Sequence, residues 1–165
     1  MRQQIKQIKN KEMETYLTFL LENEKFAVPV THVLEVLLKQ QITPVPKTAA
    51  HILGIINFRG DILPVIDTRI KFNLSLAENN EKQVVIVFEI QNNDGTKSLI
   101  SATADAVKDV IEIKDEEIKP VPELGLNFDS RFISGAIYRN DNFILLLDIE
   151  KVFSAADLSI VEQVI

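Results

Sequence analysis

The chain has no cysteine and no tryptophan, and only two of its residues are histidine. The lack of cysteine removes disulfides, thiolate metal sites and thiol nucleophiles together, so the fold must be held by its core, and an intracellular setting is expected. No apolar run approaches the ~20 residues that span a bilayer, so direct membrane insertion is not expected. The N-terminal stretch from Met1 to Lys11 is basic and polar without an apolar centre. It reads as a solvated tail (1–13), not as a secretory signal. There is no basic excess either: the net charge is −6 and the pI near 5.0. That argues against nucleic acid as a partner, which would need a positive patch against the phosphates.

Catalytic constellations are missing as well. His32 and His51 have no metal-ligand spacing to each other or to paired carboxylates, and read as surface or boundary residues. No GxGxxG, P-loop or GxSxG motif occurs. The sequence thus points to no metal, no cofactor and no enzyme.

What the chain does have is apolar residue in quantity, 46% of 165 positions. Much of it falls in strand-sized runs rich in Val, Ile, Leu and Phe. The clearest are 16–21, 26–30, 55–58, 62–66, 84–90, 98–102, 133–138 and 143–147. Arg59-Gly60-Asp61, Asn93-Asp94-Gly95 and Asn140-Asp141-Asn142 lie between such runs, where residues tolerant of positive φ close hairpins. Ala77–Lys82 reads as a linker. Asp115-Glu116-Glu117 reads as the first turn of a helix, where carboxylates suit the dipole. Ser154-Ala-Ala-Asp157 can cap a C-terminal helix (155–165) with Leu158, Val161, Val164 and Ile165 on one face. The fold class expected is mainly β.

The runs are also duplicated. Gly54-Ile-Ile-Asn-Phe-Arg-Gly-Asp-Ile-Leu-Pro-Val-Ile-Asp67 lies without gaps on Gly135-Ala-Ile-Tyr-Arg-Asn-Asp-Asn-Phe-Ile-Leu-Leu-Leu-Asp148. The spacing holds at both ends, since 135 minus 54 and 148 minus 67 both give 81, and Phe72 and Phe153 share it. Upstream, Ile42-Thr-Pro-Val-Pro46 is echoed by Ile118-Lys-Pro-Val-Pro122, and Val33-Leu-Glu-Val36 by Val107-Lys-Asp-Val110. Two related modules follow, about 14–76 and 83–154, each too small to bury a good core alone. Closing their sheets into small barrels hides strand edges, and packing the barrels together shares apolar surface and leaves a groove. Strands are free to cross between modules. In this repeat Gly54, Gly60, Gly135 and Asn57 read as hairpin geometry. Asp67 and Asp148 read as strand-end caps, and Asp67 with Arg69 as a brace for the turn.

The stretch from His51 to Arg69, with Ile-Ile-Asn-Phe-Arg-Gly followed by Pro-Val-Ile-Asp-Thr-Arg, resembles the hairpin signature of CheW-like domains. The resemblance runs from Tyr16 to about Phe153. It takes in Phe26-Ala-Val-Pro-Val30, Val33-x-Glu35-Val36, Thr43-x-Val-Pro46, Ile118–Pro122 and the Gly135 hairpin ending in Asp148-Ile-Glu-Lys-Val152. It implies two SH3-like barrels and a cytoplasmic, stand-alone adaptor that joins the histidine kinase CheA, through its regulatory domain, to the helical cytoplasmic tip of chemoreceptors. By the same resemblance Arg59 matches a receptor-binding arginine, and Val30, Val33 and Glu35 match positions near the groove, with Asn57 and Gly60 beside them on the hairpin. The residues themselves leave Arg59 open between partner contact and solvated turn, and read Val30 and Val33 as core. Departures from the pattern are Ala27 for glycine, Phe58 and Thr68 for leucine, the polar segment Ser101–Asp105 and a longer hairpin at Gln91–Lys97. The rival reading is a small-ligand or sensory module using the same groove without a kinase.

Overall fold

The computed structural model describes residues 13–38, 40–74, 83–121 and 130–160. The expected tail up to residue 12, the linker Ala77–Lys82 and the chain beyond Ile160 lie outside them. The described residues form ten strands: β1 Met13–Leu21, β2 Glu24–Pro29, β3 Val33–Leu38, β4 Ile52–Phe58, β5 Asp61–Ile66, β6 Val84–Gln91, β7 Lys97–Ala104, β8 Ala106–Lys114, β9 Ile133–Arg139 and β10 Asn142–Leu147. Among the same residues three one-turn helices follow strands or each other: α1 Thr68–Lys71, α2 Ile149–Val152 and α3 Ala155–Leu158. Two expectations are corrected. Met13 belongs to β1 and not to the tail, and Asp115–Glu117 is a single 3-10 turn that does not continue into a helix.

The strands form two five-stranded sheets, ordered β8-β1-β2-β10-β9 and β3-β6-β7-β5-β4. Replacing each strand of one sheet by the strand five places away gives the other, so the duplication is a pseudo-twofold. Each sheet mixes the halves: the first takes β1 and β2 from the first half, and the second takes β6 and β7 from the second. The seams are parallel, β2 on β10 (Phe26 beside Leu145) and β7 on β5 (Ser101 beside Val65).

Strand exchange explains why these strands read as unbroken apolar runs. Every central strand has two buried faces, and its side chains alternate between them. On β6, Val85 and Val87 point into the interior of their own sheet with Ile56, Phe58, Leu63 and Val65. Val84, Ile86, Phe88 and Ile90 point into a core shared by both sheets. On β10, Ile144 and Leu146 join Tyr16, Ala27, Ile113 and Ile137 inside the other sheet, while Leu145 and Leu147 face the shared core.

The equivalence extends to the backbone bonds of the hairpin bases. Thr43 bridges Ile55, and Lys119 bridges Ala136, each by a reciprocal pair of 2.9 Å backbone bonds. Gly54 and Gly135 lie beneath these bridges. A Cβ on Gly54 would stand 2.1 Å from the Thr43 carbonyl oxygen, and one on Gly135 would stand 2.6 Å from the Ile118 side chain. The Asp67 amide donates to the His51 carbonyl at 2.7 Å, and the Asp148 amide to Phe132 at 2.9 Å.

Candidate functional site

The β4–β5 hairpin turns on two residues, Arg59 and Gly60, with φ of 52° and 88°. Positive φ at both positions matches the right-handed twist of the flanking strands, and Gly60 takes it without strain. Asn57 holds the turn, its Oδ1 accepting from the Gly60 amide at 3.0 Å. Arg59 is the one that takes strain, since an L-residue seldom adopts that region. The turn pushes its side chain outward, 68% exposed.

Arg59 is engaged within the chain itself. Its Nη2 donates to Glu35 Oε2 at 2.6 Å, and its guanidinium sits 4.8 Å from the Phe58 ring centroid. Glu35 comes from β3, which shares a sheet with β4 and β5 but lies at the opposite edge, so the sheet curls to bring them together. The result is an exposed ion pair braced on an aromatic face. Val30 and Val33, just before Glu35 in the chain, are partly buried against the shared core. Leu34 and Leu38 on β3 and Ile62 on β5 are exposed apolar side chains that the sequence reading did not single out. Val110, Tyr138 and Phe143 are exposed on the other sheet, the two rings 4.8 Å apart.

Asp67 caps α1, its Oδ1 accepting from the Arg69 and Ile70 amides. Asp148 does not repeat this: its side chain makes no cap bond and lies 3.9 Å from Lys151 instead. The brace between Asp67 and Arg69 runs through the Arg69 amide. The Arg69 side chain reaches Asp105, between β7 and β8, and approaches Glu22 at 3.5 Å, so it ties one sheet to the other.

Asp157, buried on α3, gathers polar contacts from three chain segments. Its Oδ1 is 2.6 Å from His51 Nε2 and its Oδ2 2.6 Å from Lys71 Nζ, and the Ser154 amide donates to Oδ2 at 3.1 Å. Burial alone pushes this carboxyl upward and is the largest single influence, but the bonds from Lys71, His51 and Ser154 together outweigh it and hold the group below its ordinary value of 3.8. A carboxyl depressed on folding adds stability that is fully present above the unfolded value and lost as pH falls through the folded one. The stability gap between the native chain and Asp157→Asn should therefore narrow as pH drops below 3.8. Paired thermal melts across pH 2.5–6 read it, and a gap that widens on acidification would contradict the assignment.

No group of three or more His, Asp or Glu side chains poised for a metal occurs among the described residues, and none of their helices is long and apolar enough to cross a membrane.

Comparison with known proteins places this geometry. The model of the CheW-like domain family matches residues 15–157. The chemotaxis protein CheW of Klebsiella aerogenes is 31% identical over 151 residues, covering 92% of this chain and 88% of that protein. CheW of Helicobacter pylori is 30% identical over 147 residues, covering 89% and 86%. The crystal structure of the scaffolding protein TtCheW from Thermoanaerobacter tengcongensis superposes with a TM-score of 0.75 at 30% identity, covering 87% of this chain and 94% of that one. The two sheets are thus the paired SH3-like subdomains of that fold. A hairpin presenting an ion pair and a strand-exchanged pair of barrels agree with these likenesses: the chain belongs to the CheW-like domain family, the non-enzymatic scaffolds that couple chemoreceptors to the kinase CheA.

Proposed function

We propose that this scaffold works in the cytoplasm and meets the helical tip of a chemoreceptor with the Glu35–Arg59 edge of its first hairpin. The exposed apolar side chains of the barrels, Leu34 and Leu38 on one and Val110, Tyr138 and Phe143 on the other, remain for the regulatory domain of CheA. The carrying observation is Arg59 itself. A two-residue turn presents it in a strained backbone state and leaves it largely in solvent, although Gly would serve the turn better. Of the guanidinium's five donors the bond to Glu35 uses one, and a planar fork suits a carboxylate or the free carbonyls of a helix end. The shared core has no room for a small ligand, since the cavity beside Thr68 and Thr103 measures about 10 Å³, enough for one water; a wider hollow of about 600 Å³ lies on the surface of the other sheet, between Glu24, Asp109 and the β9–β10 turn.

The test is a substitution series at Arg59 read by receptor-fragment binding and thermal melting. Arg59→Ala should weaken binding about tenfold, the loss of one charge-assisted contact. Arg59→Gly should weaken it as much while keeping or raising stability, because it relieves the positive φ. Arg59→Lys should restore binding only in part. Unchanged binding in a well-folded Arg59→Gly variant would overturn the role.

A further inference from the structure

The pseudo-twofold supplies an internal control for the Asp157 cluster. His51 precedes β4 and Lys71 ends α1 just after β5, so the two flank the entry and the exit of the Arg59 hairpin. Eighty-one positions on, the same two places hold Phe132 and Val152, both buried and apolar. The second half closes its hairpin base with apolar side chains, the Phe132 ring lying 5.5 Å from Phe72 and 5.8 Å from the Lys71 ammonium. The first half places a histidine and a lysine there, 24% and 11% exposed, and one buried carboxylate from the far end of the chain spans both.

The segment that delivers this carboxylate is built for the purpose. Ser154 and Asp157 form a reciprocal capping box, so the same side chain starts α3 and reaches the hairpin. Beyond it Leu158 packs on the shared core, and Ile160 is buried within it. His51 is fixed in turn by its carbonyl, which accepts from the Asp67 amide where β5 ends. Opening the two bases has different consequences. Exposing Phe132 and Val152 returns apolar surface to water, whereas Asp157, His51 and Lys71 regain hydration when they part. The first base is therefore the weaker of two matched joints, and local opening starts at such places.

We propose that residues 154–160 form a strap across the base of the Arg59 hairpin, latched by Asp157, and that unlatching loosens this hairpin while both sheets stay folded, weakening the contact made at its tip. The final step rests on the receptor reading of Arg59 given above; the loosening does not.

The experiment is amide hydrogen exchange on the full chain and on Asp157→Ala, with Asp157→Asn as the milder change should the first fail to fold, beside receptor-fragment binding. Exchange should quicken about tenfold or more at the amides of Ile52, Ile55 and Asp67, and stay unchanged at their counterparts Ile133, Ala136 and Asp148 and along β1 and β2. Receptor affinity should fall about threefold to tenfold. Uniform acceleration in both halves would reduce Asp157 to general stability and overturn the strap, as would unaltered exchange at the hairpin base. Loosened exchange with full affinity, in a protein whose Arg59→Ala variant does lose binding, would overturn the coupling. If Arg59→Ala binds normally, the receptor reading fails by itself, and the exchange pattern still decides the strap.

Discussion

Gly54→Ala should cost about 3–5 kcal/mol of folding stability, a large share of the roughly 5–15 kcal/mol that holds a domain of this size. Two effects add. The φ of 152° lies where side-chain-bearing residues are strained, by about 1–3 kcal/mol. The new methyl would also stand 2.1 Å from the Thr43 carbonyl oxygen and 2.7 Å from its carbon, which are backbone atoms with no rotamer to change. Relief requires parting the Thr43–Ile55 bridge and its two 2.9 Å bonds, at about 0.5–1.5 kcal/mol for each bond lost. Gly135→Ala meets instead the end of the Ile118 side chain at 2.6 Å and the Lys119 oxygen at 3.3 Å, so repacking absorbs part of the clash and about 1–2 kcal/mol is expected. Urea unfolding of both variants gives the order directly. Equal losses, or a greater loss at Gly135, would show that the two bridges are not the constraint described.

That these glycines are counterparts was legible because the repeat is ungapped through both hairpins. How the halves share their strands was not. A strand whose two faces are both buried carries the same apolar run whether its neighbour comes from its own half or the other, so duplication predicts two like barrels and is silent on exchange. β3 and β8 escaped the strand reading because Glu35, Lys108 and Asp109 interrupt their apolar residues, each being an edge strand with an open side. At the site, the turn at Arg59 followed from Arg-Gly between two apolar runs. Its pairing with Glu35 did not, because the two meet only when the sheet curls its opposite edges together. Asp157 was visible as a helix cap and invisible as a latch, since one carboxylate serves both and only the second task is long-range.

The polar segment Ser101–Asp105, which departs from the family pattern, has a structural account. β5 and β7 form a short parallel seam, with only Val65 beside Ser101 and Ile66 beside Ala102 in register. The polar side chains lengthen it. Ser101 Oγ donates to the Pro64 carbonyl at 2.8 Å, and Thr68 Oγ1 donates to the Thr103 carbonyl at 2.7 Å. Asp105 then takes Arg69 and the Glu22 amide where the chain passes from one sheet to the other. Ser101 and Thr103 are fully buried with their hydroxyls engaged, so they face the seam and not a partner. Thr68, another departure, is the partner that makes Thr103 affordable in the core.

Phe72→Ala and Phe153→Ala should each cost about 3–5 kcal/mol, and each variant should still unfold in one transition. The two rings are repeat counterparts with crossed destinations. Phe72 follows β5 and α1, leaves its own sheet and meets Phe26 of β2 in the other at 5.7 Å. Phe153 follows β10 and α2 and crosses the opposite way to Phe88 of β6 at 5.5 Å. Each ring thus pins the end of one barrel into the other, and both are almost wholly buried, so truncation leaves a cavity that the exchanged strands cannot collapse to fill. Aromatic geometry adds about 0.5–1.5 kcal/mol per pair beyond area, so Phe72→Leu should recover most but not all of the loss. Because every sheet contains strands from both halves, neither barrel can melt and leave the other intact. Circular dichroism reports both sheets, and the buried Tyr16 of β1 reports one. Coincident urea curves from the two probes, displaced to lower denaturant with unchanged slope, are the expected result. A first phase seen by one probe alone would mean that the barrels are separable units, and that the crossed rings do not bind them into one.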